Sequence, residues 1–439
     1  MGHPNADIRA CSARTGANKI DLGAGTYGLT LPANDQDASA GGPLAVSSPI
    51  TIVGQGVGTT AINAHDLYRA FNVLPGASLT LEGLTVTGGR APAGTDANST
   101  EPATAGGSGG AILSAGALRL MDAAVTGNVA GNGGSASYPA SPSEPPTAGG
   151  NGGGASLADP APATFTNSTI ANNAAGHWGA NLPPAGSLST GGALLQTGGT
   201  VTLAQMTIAG NSEDDSFEDG ANVVTNATMT IANSALAASC QGTITDGGHN
   251  VTIVNSSSQC AGTQVTTSAL GLGTLKANGG PTQTMLPAAT SALINAVPAH
   301  RAGCPPTDQR GVPRPQGREC DAGAVERRPV KLRLSLISVR FKRTQAGRTR
   351  RDGVTLTYTS GEAPLNVGTA TITGRGAQAF KITSNSCRHA MLQLTASCRV
   401  VILFKPRKPG RAIASLNIAL ARAGTPVRIR LVGAGVRRQ

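Results

Sequence analysis

The sequence predicts an all-β chain: a right-handed parallel β-helix, a solenoid of stacked coils, followed by a smaller β-sandwich. Three observations predict it. Gly and Pro supply 60 and 27 of the 439 residues, a density of helix-breaking residues that excludes long helices. A short apolar pattern recurs five times between residues 77 and 239. After residue 330 the rhythm changes to short alternating runs separated by turn signals. Charged residues make up 13% and aromatic residues 3%, so the core must come from Val, Ile, Leu and Ala. No run of about 18 apolar residues is present, which excludes a membrane-spanning helix.

Residues 1–17 form an N-terminal segment, opening MGHPNADIRAC, with neither a basic stretch nor an apolar stretch of the kind that directs export. Because other features point to an exported protein, a truncated start is expected. The solenoid is expected over residues 18–326. Its copies read ASLTLEGLTVTGG (77–89), GALRLMDAAVTGN (116–128), ATFTNSTIANN (163–173), GTVTLAQMTIAGN (199–211) and ATMTIANSALAAS (227–239). Three columns emerge: Leu79, Leu118, Ala163, Val201, Met229; then Leu81, Leu120, Phe165, Leu203, Ile231; then Val86, Val125, Ile170, Ile208, Leu236. The first two columns stand two residues apart, the spacing of one strand face, and the five-residue step to the third carries the chain round a bend into another strand. Such a unit cannot bury its apolar face alone and must stack.

The interval between copies varies from 28 to 45 residues, and the variation sits in Gly/Pro/Ser-rich inserts at 90–108, 131–152 and 179–190. These are expected as loops thrown outward from the core. Gly109-Gly110, Gly152-Gly153 and Gly191-Gly192 mark turns that need positive φ or close backbone approach. Asn128, Asn173 and Asn211 end the unit at equivalent places and are expected to form side-chain ladders between coils.

Seven cysteines fall at 11, 240, 260, 304, 320, 387 and 398. The last six make sequential pairs, Cys240 with Cys260, Cys304 with Cys320 and Cys387 with Cys398, and no CxxC or Cys/His spacing points to zinc. Three local disulfides, each contributing roughly 3 kcal/mol, place the protein outside the cytoplasm, extracellular or at the cell surface. Cys11 is left over.

After a linker at 327–329, residues 330–439 contain about seven strand-like runs, the pattern of an immunoglobulin-like β-sandwich. This module is electrostatically distinct. Residues 1–300 carry seven Lys and Arg against 17 Asp and Glu, whereas residues 301–439 carry 27 against six. A domain this basic is drawn to polyanions, and a polysaccharide or cell-envelope polymer is the expected partner. Nucleic acid is disfavoured, because the aromatics Phe341, Tyr358, Phe380 and Phe404 mostly fall on strand positions rather than on exposed stacking surfaces.

The segment 240–326 resembles the C-terminal part of the bacterial choice-of-anchor Q family, through Cys240 with GGHN (247–250) and Cys260, NGGPTQT (278–284) and DQRGVPRPQGRECDAGAVE (308–326). IDLGAGTYGLTL (20–31) is similar to the opening of such helices, so the resemblance spans about residues 18–326. It implies a secreted or surface β-helix related to the pectin-lyase-like superfamily, although no sorting motif or hydrophobic tail follows. Residues 330–436 resemble the choice-of-anchor D immunoglobulin-like module through VTLTYTSGEAPLNVGTATITG, Cys387, Cys398 and LVGAG. Neither resemblance implies an activity.

Catalysis is weighed and set aside. Uronate lyases of the wider superfamily resemble one another in using Asp-bound calcium and a basic residue, and inverting glycosidases need paired carboxyl groups. Between residues 50 and 240 the basic side chains are Arg69, Arg90 and Arg119, and Asp122 and Glu82 give way to Asn167 or neutral side chains in later copies. No catalytic residue and no cofactor is assigned. Calcium is the one cation with a candidate home, the run Glu213, Asp214, Asp215, Glu218 and Asp219, against the reading of a solvated acidic loop. His177 and Trp178, the latter the only Trp, are the candidate ligand-binding pair in an insert, against the reading of a Trp that folds back over the solenoid flank. Asp308, Arg310, Arg314 and Asp321, inside the Cys304–Cys320 loop or adjoining it, are expected as a structural cap whose ion pairs cover the open edge of the last coil.

Overall fold

The computed structural model describes residues 18–30, 42–55, 60–98, 100–136, 147–158, 160, 162–180, 191–213, 222–254, 260–299, 303–362, 364–420 and 426–437. The chain divides into two compact units, Met1–Glu326 and Arg327–Gln439.

The first unit is a parallel β-helix. Successive coils contribute strands to three parallel sheets of eight, nine and seven strands. The fourth coil shows the plan: Ala117–Met121 joins the first sheet, Ala124–Thr126 the second and Ala155–Leu157 the third. The expected columns are direct neighbours. Leu118 pairs with Leu79 and Ala163, Ala163 with Val201, and Val201 with Met229. Val125 likewise pairs with Val86 and Ile170, and Ile208 with Ile170 and Leu236. Leu81, Leu120, Phe165, Leu203 and Ile231 are wholly buried. Each such side chain contributes about 1.5–3 kcal/mol on leaving water, so the inward ladders are the main source of stability.

The five-residue step has a concrete cause. Between the first and second sheets sits one left-handed residue: Gly83, Asp122, Asn167, Gln205 or Asn233, with φ between 51° and 63°. Asp and Asn tolerate that conformation better than most residues with a side chain. At the end of the second strand, Asn128 Nδ2 donates to Asn173 Oδ1 at 2.8 Å and Asn173 Nδ2 donates to Asn211 Oδ1 at 3.0 Å. All three asparagines are buried, and their amides also reach the backbone carbonyls of Val86, Val125 and Ile170. The ladder therefore satisfies polar groups that the bend would otherwise bury without partners. Gly109, Gly152 and Gly191 have φ between 68° and 74°, which explains the first member of each doublet.

The third sheet was not anticipated. Its strands, such as Ile112–Ser114 and Leu194–Gln196, are three residues long or shorter and follow inserts of varying length. Two further coils precede the first recognised copy, with Ile50 and Ile52 pairing with Leu79 and Leu81. Cys240–Cys260 ties the last strand of the third sheet to the segment after Val254.

The second unit is a β-sandwich. One sheet orders Lys331–Leu334, Arg350–Ser360, Ser397–Phe404 and Phe380–Asn385. The other, six-stranded, orders Ser338–Arg340, Val427–Val436, Gly410–Leu420, Leu365–Thr373 and Met391–Leu392, with Thr344–Gln345 also paired to Val427–Val436. The alternating run KLRLSLISVRF (331–341) breaks at Leu336-Ile337 and crosses between the sheets. Phe341, Phe380 and Phe404 cluster with ring centroids 5.0–5.7 Å apart, and Tyr358 is wholly buried. These four aromatics are core.

Candidate functional site

Among the described residues, the inserts between the second and third sheets are not irregular loops. Outgoing segments bond to one another between coils at every third residue: Ala91 N donates to Val129 O, Gly94 N to Asn132 O and Ala97 N to Ser135 O, at 2.7–3.0 Å. Returning segments do the same, with Gly106 N on Ala148 O and Gly109 N on Asn151 O. Cross-links join the two layers: Gly107 N to Pro92 O, Gly131 N to Gly107 O, Gly150 N to Gly131 O and Gly176 N to Gly150 O. A three-residue period with bonding only to neighbours is the habit of polyproline-II-like chains. Glycine is required by proximity, since a Cβ at Gly131 would collide with Pro92 O, one at Gly150 with Gly107 O, and one at Gly176 with Gly131 O.

This array carries His177 and Trp178. The His177 backbone N–H donates to Asn132 Oδ1 at 3.1 Å, and its carbonyl accepts from Gly133 N at 2.8 Å. The His177 side chain is exposed and Trp178 is half-buried, so the pair stands on an ordered platform. Of the acidic run, Glu213 accepts from Asn222 Nδ2 at 3.0 Å and Ser239 Oγ at 2.9 Å, which commits it to the coil. Asp214, Asp215, Glu218 and Asp219 lie outside the described residues. Among the described residues no three His, Cys, Asp or Glu side chains gather as a metal site would require.

Asp308, Arg310, Arg314 and Asp321 are buried, but not over the open edge of the last coil as expected. They belong to a strap that lies along the bend between the first and second sheets. Gln309 Nε2 donates to Ala123 O, Asn167 Nδ2 to Thr307 O, Gln205 Nε2 and Asn233 Nδ2 to Gly303 O. The strap thereby touches the fourth to seventh coils, because the left-handed turn residues present their side chains there as partners. Arg310 pairs with Asp308 at 3.0 Å and Arg314 with Glu326 at 3.2 Å. Cys304–Cys320 closes the strap. Glu326, four residues beyond Ala322 among small residues, gives no signal of an ion pair in the sequence. Burial pushes its carboxyl above the usual range, and Asp321 adds to this.

Asp122, in the same bend, accepts from Asn167 Nδ2 at 2.8 Å. Burial pushes its pKa up to about 6, with Glu82 and Asp308 adding repulsion against the opposing Asn167 hydrogen bond.

The second unit has 23 Lys and Arg against two acids, Asp352 and Glu362. Glu362 is paired with Arg328 at 3.3 Å, and the Asp352 carboxylate accepts from Gly353 N. On the outer face of the four-stranded sheet, Arg333, Arg351, Lys381 and Arg399 are exposed. On the six-stranded side the cross-strand partners Ser338, Arg430, Ser415 and Thr373 form one row, and Arg428, Asn417 and Thr371 the next. Asn417 Nδ2 donates to Thr373 Oγ1 at 2.9 Å. Here Arg375, Arg428 and Arg430 line a groove of about 590 Å³ with Ile337, Thr373, Ile413 and Ser415. The charge is legible in the sequence but this convergence is not, because Arg375, in the turn after Leu365–Thr373, meets Arg428 and Arg430 of Val427–Val436 only through the strand between them.

Neither a protein-family model nor a curated protein sequence matches the chain. Solved structures match in part. The chain is similar to a PapD-like domain of human CEP192 at 17% identity, covering 25% of this chain and 87% of that one, with a TM-score of 0.19. It is similar to the secreted serine protease VesC of Vibrio cholerae at 21% identity, covering 24% and 23%, with a TM-score of 0.20. A family 123 glycoside hydrolase from Clostridium perfringens matches at 10% identity over 25% and 27%, with a TM-score of 0.20. This chain thus spans under a third of the Vibrio and Clostridium chains. At these scores the likenesses carry no argument about activity.

Proposed function

We propose that this is a non-catalytic, exported or cell-surface β-helix protein of the choice-of-anchor kind. Its solenoid binds glycans or other surface partners, and its basic sandwich associates with anionic envelope polymer. The observation that carries this reading is that both outer faces of the sandwich present cations while its two acids are engaged within the unit. Guanidinium groups pair bidentately with phosphate and carboxylate, which suits a repeating polyanion. Three disulfides fit an oxidising, extracytoplasmic setting. The platform under His177 and Trp178 supports glycan contact, since a fixed backbone lowers the ordering cost of a stacking site.

The test is retention of the full chain on immobilised polygalacturonate across a salt gradient. Binding at 0.1 M salt and release toward 1 M, where the screening length falls from about 10 Å to about 3 Å, supports the reading. No retention at low salt overturns it.

A carbohydrate-active enzyme is the second reading, favoured by one observation: Asp122, with its pKa near 6, stands on the coil adjacent to Glu82. Product analysis on uronates and neutral glycans decides it. Turnover that Asp122→Asn abolishes would replace the binding reading with a catalytic one, a lyase if the products are unsaturated and a hydrolase if they are not.

A further inference from the structure

The turn Leu336-Ile337 links Lys331–Leu334 to Ser338–Arg340. It is the point where the chain leaves the four-stranded sheet for the six-stranded one, and its side chains stay largely in solvent. Leu336 is 41% and Ile337 80% exposed, and Ile413, 38% exposed, lies in the groove with Ile337. The Ile337 carbonyl accepts from Arg430 N, which places the turn beside the Arg428 to Arg430 strand. Exposed branched aliphatics ringed by guanidinium groups are poorly suited to a fully hydrated polymer, which offers charge but no hydrocarbon. They are well suited to a surface that offers both.

From this we infer that the six-stranded face docks on an anionic phospholipid surface. Arg375, Arg428 and Arg430 hold headgroup phosphates, and Leu336 and Ile337 enter the boundary between headgroups and acyl chains. The argument is charge complementarity joined to apolar exposure. Three cations line the groove, no carboxylate is among its lining residues, and Thr373, whose Oγ1 accepts from Asn417 Nδ2, has a hydroxyl proton to offer a phosphate oxygen. Interfacial binding of this kind scales with buried apolar area together with attraction to anionic lipid. The inference builds on the envelope-association reading but assigns this one face to lipid, leaving the cations of the four-stranded face for polymer.

Flotation of the full chain with vesicles tests it. The protein is expected to float with vesicles of phosphatidylglycerol and phosphatidylcholine at low salt and not with phosphatidylcholine alone. Replacing Arg375, Arg428 and Arg430 together by Gln is expected to weaken partitioning about a hundredfold, roughly fivefold for each cation removed near the surface. Ile337→Ser, at unchanged charge, is expected to weaken it several-fold while Ile337→Leu restores it, and neither change alters retention on polygalacturonate. Absence of flotation with anionic vesicles overturns the inference, as does flotation indifferent to Ile337→Ser, which reduces it to diffuse charge. Loss of polygalacturonate retention in Ile337→Ser assigns the groove to polymer and also overturns it. Failure of the polymer reading itself is seen separately, in the unmodified chain.

Discussion

Arg314 Nη1 lies 3.2 Å from Glu326 Oε2 with both side chains wholly buried, an ion pair sealed beneath the strap of the β-helix. Arg314 also donates to Asp321 O and Gly323 O, and Glu326 accepts from the backbone N–H groups of Gln316 and Asp321. Breaking such a pair from one side leaves a buried charge without its partner. Glu326→Ala is therefore expected to destabilise the first unit by about 3–5 kcal/mol in denaturant unfolding. A loss below about 1 kcal/mol would show that the strap is not integral to the fold.

The asparagine ladder makes a separate demand. Asn173 links Asn128 and Asn211 and reaches Val125 O. Asn173→Ala strips partners from buried polar groups on both sides, and a loss of about 2–3 kcal/mol is expected by thermal and chemical unfolding. Asn211→Ala, at the edge of the described ladder, should cost less.

In the insert array, Gly150→Ala would force two backbones apart, since its Cβ meets Gly107 O. The expected outcome is faster hydrogen exchange and protease cleavage in residues 90–110 and 131–153, with a global loss of about 1–3 kcal/mol. Unchanged exchange at these amides would argue against the close-packed array.

Asp122 gives a pH prediction whose sign follows from its raised pKa. The folded state holds the proton more tightly than the unfolded chain, so stability associated with this group is full below pH 4 and falls as pH rises through about 6. Because Asp122 is only partly buried, the effect is discounted to about 1 kcal/mol. Asp122→Asn, which keeps an acceptor for Asn167, should be more stable than the parent at pH 7.5 and gain nothing at pH 3.5. Parallel stability curves for the two proteins across that range would contradict the assignment.

Much of the fold was legible because a stacked solenoid writes its contacts as a repeat. The columns headed by Leu79, Leu81 and Val86 align in the sequence for the same reason that they pair in space. The third sheet escaped notice because strands as short as Ile112–Ser114 carry little periodicity and sit beyond inserts of unequal length. Glycine-rich inserts read as loops, since nothing local reveals that Gly94 N will meet Asn132 O on the next coil.

What the sequence alone determined is what recurs or is local: the inward columns, the bends, the asparagine ladder, the cysteine pairs and the charge contrast between units. Each follows from strand periodicity, backbone permissiveness or loop length, which need no knowledge of distant partners. Tertiary structure decided the rest. It laid Asp308, Arg310, Arg314 and Asp321 along a flank rather than over an end, because Asn167, Gln205 and Asn233 present hydrogen-bonding side chains there. It also gathered Arg375 beside Arg428, Arg430 and Ile337, since Gly410–Leu420 pairs with both Leu365–Thr373 and Val427–Val436 and so joins segments distant in the chain.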